Sequence, residues 1–316
     1  MKPKNQQIVT ITFSPCIDKS TTVPVLLPDI KMSCTSPKEE PGGGGINVAR
    51  AIHNLGGSAL AIYFSGGCNG HKFDELMLHE NITTLVIPSI HETRENIIIV
   101  DEFNDKQYRF GMPMTPLMEN EYEQFLFRLK TLEDLSYIII SGSVPPGVPA
   151  SIFAEISAIS KKKNAKLVVD TKGDALKHAV DTGVFLIKPN LGELSVLTGR
   201  KELLADEIKE VAMGLIHNGK CQVVVVSMGA EGALVVTSDF IKQLKPPTVE
   251  RKSTVGAGDS MVAGIVFSLY NGKSLMDAIQ YGVACGTAAT LNPGTELCRK
   301  DDVINLLQNV EIIDLE

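Results

Sequence analysis

Short, almost continuous apolar runs alternate along this chain with longer stretches in which apolar residues recur at helical spacing. The runs are residues 8–13, 59–64, 137–141, 166–170, 185–188 and 223–227, rich in Val and Ile. Hydrophobicity at both alternating positions marks strands buried on both faces. Residues 119–132, 151–162, 192–198 and 205–218 carry the amphipathic helical pattern. Repeated βα units of this kind predict an α/β fold with a mostly parallel sheet and helices on both faces. Ligands bind such sheets beyond the carboxyl ends of the strands. The polar residues Asp18, Ser141, Ser143, Asp170, Lys188, Asn190 and Ser227 all follow expected strands, as an active-site rim would.

Two regions break the alternation. Residues 21–40 mix Pro, Thr and Ser with alternating apolar positions, and residues 95–110 read as a hairpin turning at Asn104-Asp105. Being strand-like rather than merely polar, they suggest a small β-sheet lid, with segments at about 19–40 and 94–112, on a single domain spanning 1–316. A pair of long surface loops is the alternative. No internal repeat appears.

Composition narrows the partners. With 316 residues, 44% hydrophobic and 21% charged, the chain suits one sizeable globular domain. The net charge is −7, and no basic run exceeds Lys161-Lys162-Lys163, so no nucleic-acid partner is expected. Anionic substrates would have to be held by local cations and backbone N–H groups. The six cysteines show no Cys-x-x-Cys and the six histidines no metal spacing, which argues for reduced thiols and against zinc. The start is polar and no apolar run approaches membrane-spanning length, so a cytoplasmic protein with no membrane partner is expected.

Candidate chemistry concentrates in two glycine-rich segments. In Ser253-Thr254-Val255-Gly256-Ala257-Gly258-Asp259-Ser260, glycines flank a small residue ahead of an apolar helix. Such a turn aims backbone N–H groups and a helix dipole at an anion. Asp259 beside that hole suits a base for a hydroxyl attacking a phosphoryl group. An ordinary N-cap is an equal reading of those residues alone. The second segment is Pro41-Gly42-Gly43-Gly44-Gly45-Ile46-Asn47-Val48-Ala49-Arg50. Four glycines are entropically costly, so close backbone approach to a polyhydroxy ligand is the expected reason. Neither segment fits Gly-x-Gly-x-x-Gly, and no P-loop is present, which excludes a Rossmann dehydrogenase or P-loop enzyme by motif. Asp18 could meet ligand hydroxyls or simply close a turn, and Arg94 could clamp a phosphate or sit on the surface. Lys188-Pro189-Asn190-x-x-Glu193 could serve nucleotide phosphates and hydrated Mg2+, or cap a helix. Residues 227–232 read as a turn that a nucleotide could pass.

Residues 42–50 and 254–260 resemble the two signature regions of the ribokinase-like (PfkB-type) carbohydrate kinases, the glycine quartet being most similar to the phosphofructokinase type. The likeness runs through Ser-Gly-Ser-x-Pro-Pro-Gly, Lys-Pro-Asn-x-x-Glu-Leu and Ala-Ala-Thr-Leu-Asn, essentially the whole chain. It implies a Rossmann-like three-layer α/β/α sandwich with a β lid through which two copies often dimerise. It implies Asp259 as base, with Gly256, Ala257 and Gly258 as the anion hole. Asp18, Gly43, Gly44 and Asn47 would contact sugar hydroxyls, and Lys31, Arg94 and Ser143 the substrate phosphate. Lys188, Asn190 and Glu193 would face ATP and Mg2+, with Glu193 reaching the metal through water. Ser227, Gly229 and Gly232 would form the nucleotide wall, with Thr287 and Asn292 near adenine and ribose. Ser253, Val255, Asn292 and Gly294 would hold a monovalent cation such as K+. The implied reaction is phosphorylation of fructose 6-phosphate at O1. Tagatose 6-phosphate or fructose 1-phosphate is the alternative substrate, and a non-catalytic sugar-phosphate sensor a remoter reading. Ser33 and Glu296 depart from the resemblance, each standing where an Arg is expected.

Overall fold

The computed structural model describes residues 7–200 and 203–315; the polar start, residues 1–6, lies outside the described residues, as do 201, 202 and 316. The chain runs through β1 (Gln7–Thr12), β2 (Cys16–Val23) and β3 (Lys38–Gly42) into α1 (Gly44–Asn54). Next come β4 (Leu60–Ser65), α2 (Gly67–His79), β5 (Thr83–Pro88) and the hairpin β6 (Arg94–Asp101)–β7 (Lys106–Gly111). The middle comprises α3 (Glu119–Thr131), β8 (Leu135–Ser141), α4 (Ser151–Lys162), β9 (Lys166–Asp170), α5 (Gly173–Asp181) and β10 (Val184–Ile187). It continues with α6 (Leu191–Thr198), α7 (Ala205–His217), β11 (Cys221–Ser227), β12 (Ala233–Val236) and β13 (Ile241–Lys245). The last elements are α8 (Ala257–Tyr270), α9 (Leu275–Thr290), α10 (Lys300–Leu307) and β14 (Glu311–Asp314).

One ten-stranded sheet has the order β14-β13-β12-β11-β10-β9-β8-β1-β4-β5. From β5 to β11 all neighbours are parallel, and β12, β13 and β14 add an antiparallel edge. Side-chain alternation explains the three layers. In β8, Tyr137 and Ile139 point into the core shared with α1, α2, α8, α9 and α10, whereas Ile138 and Ile140 point into the core of α3 to α7. Every expected strand and helix of the main sheet is present, with ends shifted by two residues at most. No helix among the described residues is long and apolar enough to cross a membrane.

The two irregular regions do come together. β2 pairs with β3 antiparallel and with β6 parallel, and β6 with β7 antiparallel, giving a four-stranded sheet β3-β2-β6-β7. The strand character expected across residues 21–40 holds only at its ends: no strand lies between Val23 and Lys38. That stretch is fastened instead at Thr35, whose amide donates to the Thr22 carbonyl at 3.1 Å while Thr21 Oγ1 donates to the Thr35 carbonyl at 2.8 Å.

The glycine quartet has internal reasons that sequence reading missed. A Cβ at Gly45 would sit 2.6 Å from the Ile11 carbonyl oxygen and 2.5 Å from Thr12 Oγ1, and one at Gly44 would strike the Gly142 amide and Ser141. These residues let α1 start directly against the sheet, while Gly43 takes a φ of 118° that L side chains rarely adopt. Gly45→Ala is therefore expected to destabilise the fold by about 1–3 kcal/mol, read as a lower urea midpoint at unchanged m-value.

Candidate active site

Three cavities meet beyond the carboxyl ends of β1, β8, β9 and β10. The first, about 510 Å³, is lined by Asp18, Gly43, Gly44, Asn47, Arg94, Ser143, Val255, Gly256 and Asp259, with Asn96 and Arg109 from the small sheet. The second, about 200 Å³, shares Ser143 and Asp259 with the first and adds Ser141, Asp170, Lys188, Asn190 and Glu193. The third, about 430 Å³, shares Asn190 with the second and is lined by Ser227, Gly229, Gly232, Thr287, Ala257 and Gly258. Asp259 stands where the first two adjoin.

Asp259 is not a cap. Gly256, left-handed at φ 73°, occupies the N-cap position of α8, and no side chain caps the helix. The Asp259 carboxylate instead accepts from Asn47 Nδ2 at 2.9 Å and from Ser141 Oγ at 3.3 Å. Burial, and next the charge of Asp170, lift its pKa from 3.8 to about 7, although Asn47, Lys188 and Ser141 all favour the ionised form. A carboxylate with that pKa, held by two donors, is suited to exchange a proton near neutral pH. Asn47 is buried, yet its Oδ1 has no partner in the protein. Since buried acceptors are costly to leave unpaired, a ligand hydroxyl is a natural donor to it.

Around the second cavity, Lys188 is 5% exposed and pairs with Asp170 at 3.2 Å. Burial opposes its charge, but Asp170, Glu193 and Asp259 overcome this and raise its pKa. Asn190 and Glu193 form a capping box on α6: Asn190 Oδ1 accepts from the Glu193 amide, and Glu193 Oε2 from the Asn190 amide, both at 2.9 Å. The helix-cap reading of this motif holds, and the capping residues also line the cavity. Among the described residues no group of three or more His, Cys, Asp or Glu is gathered to hold a metal. The carboxylates of Asp170 and Glu193 on this cavity are a donor type that suits a cation keeping its waters and binding mainly to phosphates, as Mg2+ does.

In the first cavity Arg94 is held by donating from Nε to Ser14 Oγ at 3.0 Å and from a terminal nitrogen to Asn96 Oδ1 at 2.9 Å. Among the described residues it has no carboxylate partner, so its charge stays available to an anion. Ser253 Oγ donates to the Gly294 carbonyl at 2.7 Å, joining the two loops expected to hold a monovalent cation; Val255 follows Ser253 in the same turn. Glu296 does not act as a stand-in for Arg: it pairs with Lys38 of β3 at 3.2 Å and with Arg299 at 2.7 Å.

Two expected residues stand apart. Lys31 lies exposed between β2 and β3, near Ser33, and lines none of the three cavities. Asn292 is buried and lines none of the three cavities, its side-chain nitrogen donating to the Leu297 carbonyl at 3.0 Å. Thr287 does line the third cavity, with its hydroxyl donating to the Val283 carbonyl at 2.8 Å. Sequence reading placed Asn96 and Arg109 in a hairpin but assigned them no role, although both line the first cavity. It also missed the Pro246-Pro247-Thr248-Val249 wall of the third cavity, which carries no motif.

Comparison with known proteins agrees with this geometry. The pfkB family carbohydrate kinase profile matches residues 11–302. The ATP-dependent 6-phosphofructokinase isozyme 2 of Escherichia coli is 42% identical over 297 residues, covering 94% of this chain and 96% of the relative. The 1-phosphofructokinase of Borreliella burgdorferi is 31% identical over 309 residues, covering 98% of this chain and 99% of the relative. The crystal structure of phosphofructokinase-2 from E. coli in complex with potassium superposes with a TM-score of 0.92 at 40% identity, covering 96% of this chain and 99% of that one. An anion-directed helix start, an elevated carboxylate between two cavities and a signature spanning nearly all of the sequence agree with one another: the chain belongs to the pfkB family of carbohydrate kinases.

Proposed function

We propose that the chain transfers the γ-phosphoryl group of ATP to the 1-hydroxyl of fructose 6-phosphate, giving fructose 1,6-bisphosphate. The observation that carries this reading is the place of Asp259: its carboxylate borders both the Arg94-containing cavity and the Lys188-containing one. Identity to a 6-phosphofructokinase exceeds identity to a 1-phosphofructokinase, 42% against 31%, which favours the 6-phosphate substrate.

The sugar phosphate occupies the first cavity. Arg94 and Ser143 face its phosphate, and Asp18 and Asn47 its hydroxyls, with Gly43 and Gly44 leaving room for the ring. Asp259 accepts the proton of the attacking hydroxyl, held in place by Asn47 and Ser141. The amides of Gly256, Ala257 and Gly258 open α8 and favour charge on the transferring group. Lys188 faces the phosphates with Asn190 and Glu193, and adenine lies in the third cavity against the turn of Ser227, Gly229 and Gly232. Glu193, with Asp170 nearby, would hold Mg2+ through water; when bound, the ion neutralises charge on the phosphates. The carbonyls of Ser253, Val255, Asn292 and Gly294 would hold K+. The small sheet acts as a lid over the sugar and pairs with a second copy. Support for the dimer is its exposed apolar surface, including Ile97, Tyr108 and Phe110, and the edge strand β7, exposed at every residue.

The test is ADP release measured for fructose 6-phosphate, tagatose 6-phosphate and fructose 1-phosphate, with and without K+. The expected result is the highest kcat/KM for fructose 6-phosphate; a higher value for either other sugar would reassign the substrate. Binding of sugar phosphate without ADP release would leave only a sensor.

A further inference from the structure

We propose that Asn96 is a positioning residue that fixes the Asp18 carboxylate and the Arg94 guanidinium relative to each other, so that hydroxyl and phosphate of the substrate are recognised as a unit. This rests on assigning the first cavity to a sugar phosphate.

Asn96 lies on β6 directly opposite Asp18 of β2, in the parallel pair that joins the two halves of the small sheet. Its Nδ2 donates to Asp18 Oδ1 at 2.9 Å and to Cys16 Sγ at 3.1 Å. Its Oδ1 accepts from Arg94 at 2.9 Å and from the Met112 amide at 3.2 Å. The amide orientation follows from its neighbours: an ionised carboxylate only accepts, while a guanidinium and a backbone N–H only donate. An amide therefore satisfies both sides at once, which neither a carboxylate nor an apolar side chain of similar size could do. Burial and the charge of Asp18 push the Cys16 thiol far up, so it stays protonated and donates to Asp18 Oδ1 at 3.4 Å. Asp18 Oδ1 is thus occupied within the protein by Asn96 and Cys16, and its other oxygen is the one left for a ligand. Arg94 is held by Asn96 on one side and Ser14 on the other. All of these residues except Met112 line the same cavity.

The role separates from simple packing through two substitutions of similar size. Asn96→Leu removes both contacts and keeps the branched outline of the side chain. Asn96→Asp keeps the acceptor for Arg94 and Met112 but sets a like charge against Asp18. Steady-state ADP release is measured for wild type and both variants, varying fructose 6-phosphate and ATP separately. The Leu variant is expected to raise KM for the sugar phosphate about tenfold or more, with KM for ATP within about twofold. The Asp variant is expected to raise it further still, despite its smaller change in shape. A milder effect of Asp than of Leu would reduce Asn96 to packing and overturn the inference, as would an unchanged sugar KM in both. If Leu fails to fold, the near-isosteric Asp variant carries the test alone, and a sugar KM within about twofold of wild type overturns the inference. Failure of wild type to turn over any ketose phosphate would instead overturn the cavity assignment, seen before any variant is made, and the inference with it.

Discussion

Asp259→Asn is expected to lower kcat by about 10²–10⁴, the range for loss of a positioned base, while leaving sugar-phosphate binding largely intact. The amide can still accept from Asn47 or Ser141, so the site keeps its shape and loses only its proton acceptor. In the wild-type free enzyme, kcat/KM should rise with pH toward a plateau above about 7, as the carboxyl releases its proton. Stability should move the opposite way. The folded carboxyl holds its proton up to about pH 7, against 3.8 for the ordinary group, so the native state binds more protons across that window. Stability therefore falls as pH rises through it. An Asn side chain escapes that cost, and the variant should be more stable than wild type at pH 8 by about 1–2 kcal/mol, the scale of an active-site trade-off. Near-normal turnover, or a variant less stable at pH 8, would contradict the role given to Asp259.

Lys188→Met should give the second large effect. Lys188 is the buried cation among Asp170, Glu193 and Asp259, paired with Asp170 at 3.2 Å. Without it the Asp259 carboxyl loses the positive charge that helps hold its pKa down, so the acid limb of kcat/KM should move to higher pH. The phosphates lose their nearest buried cation, and kcat should fall by about 10²–10³, as when one preorganised electrostatic group is removed. Asp170 is left unpaired with its side chain only 13% exposed. Breaking a buried pair from one side costs about 3–5 kcal/mol, which a urea titration would register. An unmoved acid limb, with kcat within a few-fold of wild type, would show that Lys188 serves only the fold.

The main sheet was legible because its strands are apolar on both faces, as in Val223 to Val226, and few other elements read that way. In the antiparallel edge, β13 (Ile241–Lys245) was not, because it mixes polar and apolar residues as a surface loop would. The glycine quartet was legible as exceptional, but its reason was only half visible. Gly44 and Gly45 answer to the backbone of β1 and the turn after β8, neighbours that no local pattern encodes. Asp259 was balanced between cap and base until its partners appeared, since Asn47 lies 212 positions away. Asn96 was hidden for the same reason, its contact with Asp18 spanning 78 positions. Lys31 shows the converse: motif resemblance placed it beside a phosphate, and the fold leaves it outside the cavities of its own chain.

The most direct test is phosphorus NMR of the product formed from ATP and fructose 6-phosphate, run with wild type and the Asp259→Asn variant. Stoichiometric appearance of ADP and a bisphosphate carrying its new ester at C1, nearly abolished in the variant, is the expected result. ADP without a bisphosphate, or equal product from both proteins, would contradict the assignment of Asp259 and of the cavities it joins.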